Sequence, residues 1–301
     1  MKMIFKPQTE WTPPTDFPDL GKYDEIAIDL ETKDPNLNER MGSGSVVKVG
    51  DVVGISLATH DWCAYYPIAH EGGGNMDRKM VLNWFQDQMR SDSTKIFHNA
   101  MYDVCWLRSL GIQIQGQIVD TMIAASLIDE NRYRYDLNGL SRDYLGKGKD
   151  ETVLQETAKS WGVDPKAEMY KLPAMYVGAY AERDAQLTLE LWQEFKKEIM
   201  HQDIEDIFNM ETKLFPVLVD MRFLGVRVDQ EKAAVEKSRM VEEEKRLLGG
   251  VYAETGQEVQ IWAARSIAKV FDKLGLPYER TVKTQAPSFT KNFLANHPHK
   301  I

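Results

Sequence analysis

Two hydrophobic periods alternate through the first 120 residues. "EIAIDLE" (25–31), "VVGISLAT" (52–59), "WCAYYPI" (62–68) and "KIF" (95–97) are short apolar or alternating runs, rich in β-branched and aromatic residues, and predict strands. "RKMVLNWFQDQM" (78–89) and "AMYDVCWLRSLG" (100–111) repeat their apolar residues at spacings of three and four and predict helices. Strands followed by helices of this length imply an α/β sheet with helices packed on its faces. From about residue 120 the helical period dominates, in "TMIAASLIDE", "LNGLSRDYLG", "DETVLQETAKSWG" and "YVGAYAERDAQLTLELWQEFKKEIM". Helices should therefore close over one side of the sheet.

The pattern changes again near residue 205. "DIFNMETKLFPVLVDMRFLG" predicts an amphipathic helix stopped by Gly225, and "QEKAAVEKSRMVEEEKRLLGG" a second one ended by Gly249 and Gly250. These segments divide the chain into residues 1–205 and a smaller helical region, 206–301. Two stretches carry no period. "TKDPNLNERMGSGSVVKVGD" (32–51) joins the first two strands, is rich in Gly and Ser, and is expected to be a mobile flap. "HEGGGN" (70–75) has glycines but no following Lys-Ser or Lys-Thr pair and no helix start, so it reads as a turn and not as a phosphate loop.

Composition narrows the class. The 301 residues are 43% hydrophobic and 28% charged, which suits one large or two ordinary globular domains. No run approaches the roughly 18 apolar residues of a membrane span, and "MKMIFKPQTEWTPP" lacks the apolar centre of a signal peptide, so a soluble cytoplasmic protein is expected. Cys63 and Cys105 have no CxxC or Cys/His companions, which indicates neither a zinc site nor a disulfide framework. A net charge of −9 argues against coating nucleic acid through general electrostatics but leaves room for a local site. The stretch from Arg280 to Ile301, with Arg280, Lys283, Lys291 and Lys300 and no acid, is a candidate for phosphate contact.

The candidate chemistry lies in the carboxylates. Asp29 and Glu31 end the first strand two positions apart and so project from the same face. Like charges held that close need a cation between them, or one must take up a proton. Asn99 and Asp103 are four apart where a helix opens, and Tyr180 and Asp184 are four apart on the long amphipathic helix. Each pair alone is compatible with ordinary capping or a solvated face.

Together, D-x-E ending a strand, N-x3-D opening a helix and Y-x3-D late on another helix resemble the DEDDy subgroup of 3′–5′ exonucleases. The likeness is closest to the proofreading domain of phage-type family A (polymerase I-like) DNA polymerases. "VVGISLAT", "YYPIAHEG", "GQIVDTMIAASLIDEN" and "YDLNGLSRDYLG" resemble segments between that family's motifs, and "METKLFPVLVDMRFLGVRVD" resembles the opening of its polymerase region. The polymerase motifs themselves are absent from these residues, so no DNA synthesis is expected of this chain. Where DEDDh relatives would carry a His, this chain has Ala179, so the role passes to Tyr180.

The resemblance implies an RNase H-like mixed sheet flanked by helices, followed by a small helical region. It implies phosphodiester hydrolysis with two Mg²⁺ ions, Mn²⁺ being a possible substitute, since a metal pair roughly 3.5–4 Å apart can activate water and carry developing charge. Asp29 would bridge both ions, Glu31 and Asp184 would complete the first site, and Asp103 would hold the second. Tyr180 would orient the attacking water, with Glu31 as that water's second partner. Thr32, His98, Asn99 and Tyr102 would grip the last nucleotides, His98 being as well explained by a structural role. Asp120 is assigned to structure because the four metal positions are filled. The implied partners are single-stranded DNA or a DNA 3′ end and a polymerase region in cis or on another chain, in the cytoplasm, or the host cytoplasm if the source is viral. A stand-alone DEDDy exoribonuclease and a catalytically silent DNA-holding scaffold are the alternatives.

Overall fold

The computed structural model describes residues 8–37 and 43–298. The first seven residues, the centre of the predicted flap and Lys300 of the basic stretch lie outside the described residues. Strands β1 (Glu25–Lys33), β2 (Asp51–Thr59), β3 (Trp62–Pro67), β4 (Thr94–Phe97) and β5 (Ile118–Asp120) form one sheet in the order β3-β2-β1-β4-β5. The β1–β2 and β2–β3 pairs are antiparallel, while β1–β4 and β4–β5 are parallel. This mixed sheet with flanking helices is the RNase H-like α/β architecture.

Helices α1 (Gly44–Val47), α2 (Arg78–Met89), α3 (Ala100–Ser109), α4 (Thr121–Ile128), α5 (Leu137–Leu145), α6 (Thr152–Trp161), α7 (Gly178–His201) and α8 (Glu205–Leu224) surround it. The alternation of β1 decides which helix meets which face. Ile26, Ile28 and Leu30 enter the core containing Phe85 of α2 and Val104 and Leu107 of α3. Ala27, on the opposite face, packs with Ala185, Leu187 and Leu191 of α7. The odd-numbered residues of β1 therefore look towards α7. Close approach is needed at the start of that helix: a Cβ on Gly178 would come within 2.0 Å of the Trp11 ring, so the extended N-terminal arm seats its indole there.

Contacts cluster into two compact units that meet at Gly225 and Val226. Helix α8 ends where Gly225 takes up positive φ, as its sequence predicts, and buries Phe208, Phe215 and Val219 in the two cores of the first unit. In the second unit, α9 (Gln230–Thr255) and α10 (Ala264–Leu274) are followed by a small hairpin, β6 (Glu279–Arg280) with β7 (Pro287–Ser288), and by α11 (Lys291–Asn296). Phe271, Tyr278, Phe289 and Phe293 pack together there. The sequence expectation for α9 fails at its end. The helix runs through Gly249 and Gly250 and stops at Gly256, which adopts the left-handed conformation and closes the last turn on Tyr252. A helical glycine costs only about 1 kcal/mol, which a continuing hydrogen-bond ladder tolerates.

The described parts of the predicted flap are bonded at both of its ends. Asp34 is buried and accepts from the backbone N–H groups of Asn36 and Gly44, at 2.9 and 3.1 Å from one of its oxygens. Ser45 is fully buried in α1, and Arg78 clamps Asp51 through both guanidinium nitrogens. A loop without hydrophobic period is thus held by side-chain bonds to its own backbone. "HEGGGN" forms the turn expected of it, with His70 buried and bonded to the Leu172 carbonyl. Cys63 is half-buried, Cys105 buried, and neither is in a disulfide. Among the described residues no helix is long and apolar enough to cross a membrane.

Candidate active site

The site begins at the end of β1. Asp29 pairs in register with Ser56 of β2, and Glu31 with Gly54, after which a bulge between Glu31 and Thr32 shifts the register. Because β1 pairs with β4 only over Glu25–Ala27, its edge beyond that point has spare backbone donors. Asp103, in the first turn of α3, takes one of them, accepting from the Leu30 N–H at 3.0 Å. Across the other face, α7 delivers Asp184. Carboxylate oxygens of Asp29, Glu31 and Asp184 lie within 4.8 Å of one another.

Such crowding shows in the acidities. Burial, and then the charge of Asp184, pushes the Asp29 carboxyl up to about 8. Burial and the Asp29 charge push Glu31 well above the carboxylate range, and burial raises Asp103 and Asp184 as well. One oxygen of Asp184, Oδ1, is buried without any hydrogen-bond partner. Such a carboxylate oxygen is costly unless something positive binds it. Three hard oxygen donors within reach of one another, one of them an orphan, fit a divalent cation of the Mg²⁺ type.

Tyr180 stands one turn before Asp184 on α7, with its hydroxyl at this cluster. Burial and the nearby Asp184 and Glu31 charges hold its phenol protonated far above neutral pH. Thr32 and Tyr102 share a hydrogen bond of 2.5 Å between their hydroxyls, and the Tyr102 ring meets Trp106 edge-on. Asn99 adopts a positive φ of 65°, which Asn tolerates, and its exposed side chain makes no capping bond. Thr32 directly follows Glu31 in the chain, and Asn99 and Tyr102 stand four and one residues before Asp103. His98 is half-buried: Nδ1 sits 2.9 Å from the Thr121 hydroxyl, Nε2 has no hydrogen-bond partner, and burial lowers its pKa to about 4. Asp120 is held by backbone donors. It caps α4 through Met122 and accepts from the N–H groups of Asn99 and Ala100, so it fixes the entrance to α3. Arg280 of the basic stretch turns onto its own hairpin, bonding the Gln285 carbonyl.

One site residue escaped the sequence reading. Lys149, in the loop between α5 and α6, reaches Asp184 Oδ2 at 2.6 Å and the Tyr180 hydroxyl at 3.3 Å, with its side chain only 11% exposed. Burial works against its charge, but Asp184, Asp29 and Glu31 raise its pKa overall. It lies in "GKGKD", which has neither period nor motif; the only signal was the electrostatic demand for a cation near Asp29 and Glu31.

Residues 16–200 match the family of 3′–5′ exonuclease domains of family A DNA polymerases. The chain belongs to that family. It is 31% identical to a DNA-directed DNA polymerase of Pseudomonas phage M6 over 97% of its length, and 28% identical to DNA polymerase I of Pseudomonas aeruginosa over 92%. It spans 45% of the first and 30% of the second, less than half of either. Among solved structures it is similar to the POL domain of Pol1 from M. smegmatis in complex with DNA primer-template and dNTP. That match has a TM-score of 0.61 at 16% identity, over 92% of this chain and 41% of the other. The family makes the chain a nuclease, a hydrolase of the exonuclease type. Exonuclease domains of this kind use divalent metals, in keeping with the acidic cluster.

Proposed function

We propose that this chain is a two-metal-ion 3′–5′ DNA exonuclease that releases nucleoside monophosphates from single-stranded or frayed 3′ ends and serves as the proofreading module of a DNA polymerase. The observation that carries it is the convergence of Asp29, Glu31 and Asp184, with the orphaned Asp184 Oδ1 facing no protein donor. Asp29, Glu31 and Asp184 would hold one ion, and Asp29 with Asp103 the other. When bound, the ions supply a nucleophilic water near neutral pH and neutralise charge developing at the phosphorus and on the leaving 3′ oxygen.

The protein's own groups do the positioning. The Tyr180 hydroxyl remains neutral, so it orients the attacking water by hydrogen bonding and does not act as a phenolate base. Glu31 offers that water its second acceptor. Thr32, Asn99 and Tyr102 grip the terminal nucleotides, the Tyr102 ring by stacking, which is worth roughly 1–3 kcal/mol per base and tolerates any sequence. The named relatives are DNA polymerases, which favours DNA as substrate, a polymerase region as partner and a cytoplasmic location.

The decisive assay follows nucleotide release with Mg²⁺ on single-stranded DNA and RNA of one sequence side by side. Faster release from DNA, starting at the 3′ end and lost in Asp29→Ala, is expected. Faster release from RNA would replace this reading with that of an exoribonuclease, and no release from either would leave a silent scaffold.

A further inference from the structure

The carboxylate cluster is not empty of positive charge. Lys149 stretches from a loop into the space beside Asp184, and its ammonium donates to Asp184 Oδ2 and to the Tyr180 hydroxyl. Its backbone is also fixed, since the Lys149 N–H donates to the Asn138 side chain at 3.1 Å. Gly146, just before it, closes α5 in the left-handed conformation and turns the chain towards α7. The loop thus places one cation on one oxygen of Asp184 and leaves the other oxygen unpaired.

We infer that Lys149 is a built-in counter-ion for the metal-free site: it keeps Asp29, Glu31 and Asp184 assembled between catalytic cycles, and in doing so it opposes the binding of the first divalent ion. The inference rests on the proposed two-ion reading and deepens it. Three carboxylates within 4.8 Å, Asp184 buried and the other two half-buried, would otherwise spread apart or take up protons, and either would cost the site its readiness. A monovalent ammonium a few ångströms from the ion position repels an incoming dication while its own partner attracts one. The balance gives a site that is ordered when empty and binds metal weakly enough to release it.

The second contact of Lys149 has a further effect. By donating to the Tyr180 oxygen, the ammonium occupies one of its lone pairs, while the hydroxyl itself is hydrogen-bonded to Asp184. Lys149 is therefore a positioning residue for Tyr180 as well as a counter-ion for Asp184.

The test compares the wild-type chain with Lys149→Met, Lys149→Gln and Lys149→Arg. Two quantities are read, neither of them turnover: the dissociation constant for Mn²⁺ alone by calorimetry, and the melting temperature with and without the metal. Lys149→Met and Lys149→Gln should bind Mn²⁺ more tightly, by about tenfold or more. Both should melt at lower temperature when metal-free and recover towards wild type with metal. Lys149→Arg, which keeps the charge, should stay near wild type in both. Unchanged or weaker Mn²⁺ binding in the neutral variants, or an unchanged metal-free melting temperature, would overturn the inference. If the wild-type chain itself binds no Mn²⁺, the two-ion reading fails on its own. The metal-free melting comparison still decides whether Lys149 balances the cluster.

Discussion

The two ends of β1 face the same helix and carry the same kind of residue, yet their chemistry is opposite. At the near end, Glu25 receives hydrogen bonds from Trp192 Nε1, Gln193 Nε2 and Lys196 Nζ, each at 2.8 Å, all from one turn of α7. Burial alone would raise its pKa, but the bonds from Lys196, Gln193 and Trp192 outweigh it and the group is more acidic than an ordinary glutamate. Four and six residues further along the same face, Asp29 and Glu31 meet a third carboxylate on α7 and have acidities shifted the other way. Glu25 is satisfied by protein donors and ties strand to helix. Asp29 and Glu31 are left short of donors, which is what a site must do if it is to bind something else.

The sharpest way to break this contrast is to remove one carboxylate from the unsatisfied end. Asp29→Ala should lower nucleotide release by at least about 10³-fold, while the melting temperature holds or rises, because like-charge repulsion is relieved. Activity within tenfold of wild type, in the release assay, would show that Asp29 does not hold metal.

Next in size is Tyr180→Phe, which should lower kcat by roughly 10²–10⁴, the range of a group that positions a reacting water. Calorimetry with a bound nucleotide should show metal affinity little changed. Loss of metal binding would move Tyr180 into the coordination shell.

The acidities themselves can be tested without substrate. A carboxyl whose folded pKa is raised, as for Asp29 at about 8 against an ordinary 3.8, binds its proton more tightly in the folded state between those values. Stability of the metal-free protein should therefore fall as pH rises from about 4 to 8, by up to about 1.4 kcal/mol per pH unit for each such group. Asp29→Asn should flatten that slope in urea titrations at several pH values. An unaltered slope would mean that Asp29 is not the group taking up the proton.

The substrate prediction is smaller. Single-stranded and 3′-mismatched DNA should be degraded faster than a matched blunt duplex, because unpairing costs energy that a mismatch has already lost. Tyr102→Ala should narrow that preference by about fivefold, through lost stacking. Steady-state cleavage of matched and mismatched primers measures it, and equal rates on the two ends in wild type would count against proofreading.

Least visible should be the satisfied end. Glu25→Gln weakens its link to Lys196, and for a partly exposed pair the loss should be about 1–2 kcal/mol, with kcat unaltered. Since Glu25 has a lowered pKa, its contribution is present above the ordinary carboxylate range and disappears as pH falls through its folded value. The variant should therefore match wild-type stability only at low pH. A large drop in kcat would erase the distinction between the two ends.

What could be read without coordinates was whatever depends on spacing along one element. Alternation in "EIAIDLET" is enough to put Asp29 and Glu31 on one face, and a spacing of four is enough to put Tyr180 beside Asp184. The α/β order of elements follows from the change of period near residue 120 in the same way. What tertiary structure alone decided was which distant groups share a charge. Lys149 meets Asp184 across 35 residues, and Glu25 finds its three donors about 170 residues away. The packing of the His98 ring against Thr121 and the tying of the Asp34 loop are likewise contacts between elements or within aperiodic chain. The end of α9 was decided locally yet was illegible, because Gly249, Gly250 and Gly256 are chemically identical and only the third is where the hydrogen-bond ladder closes. Periodicity fixes the direction of a side chain relative to its own strand or helix. The sign of a pKa shift depends on what comes to meet that side chain, and that is settled only when the elements pack.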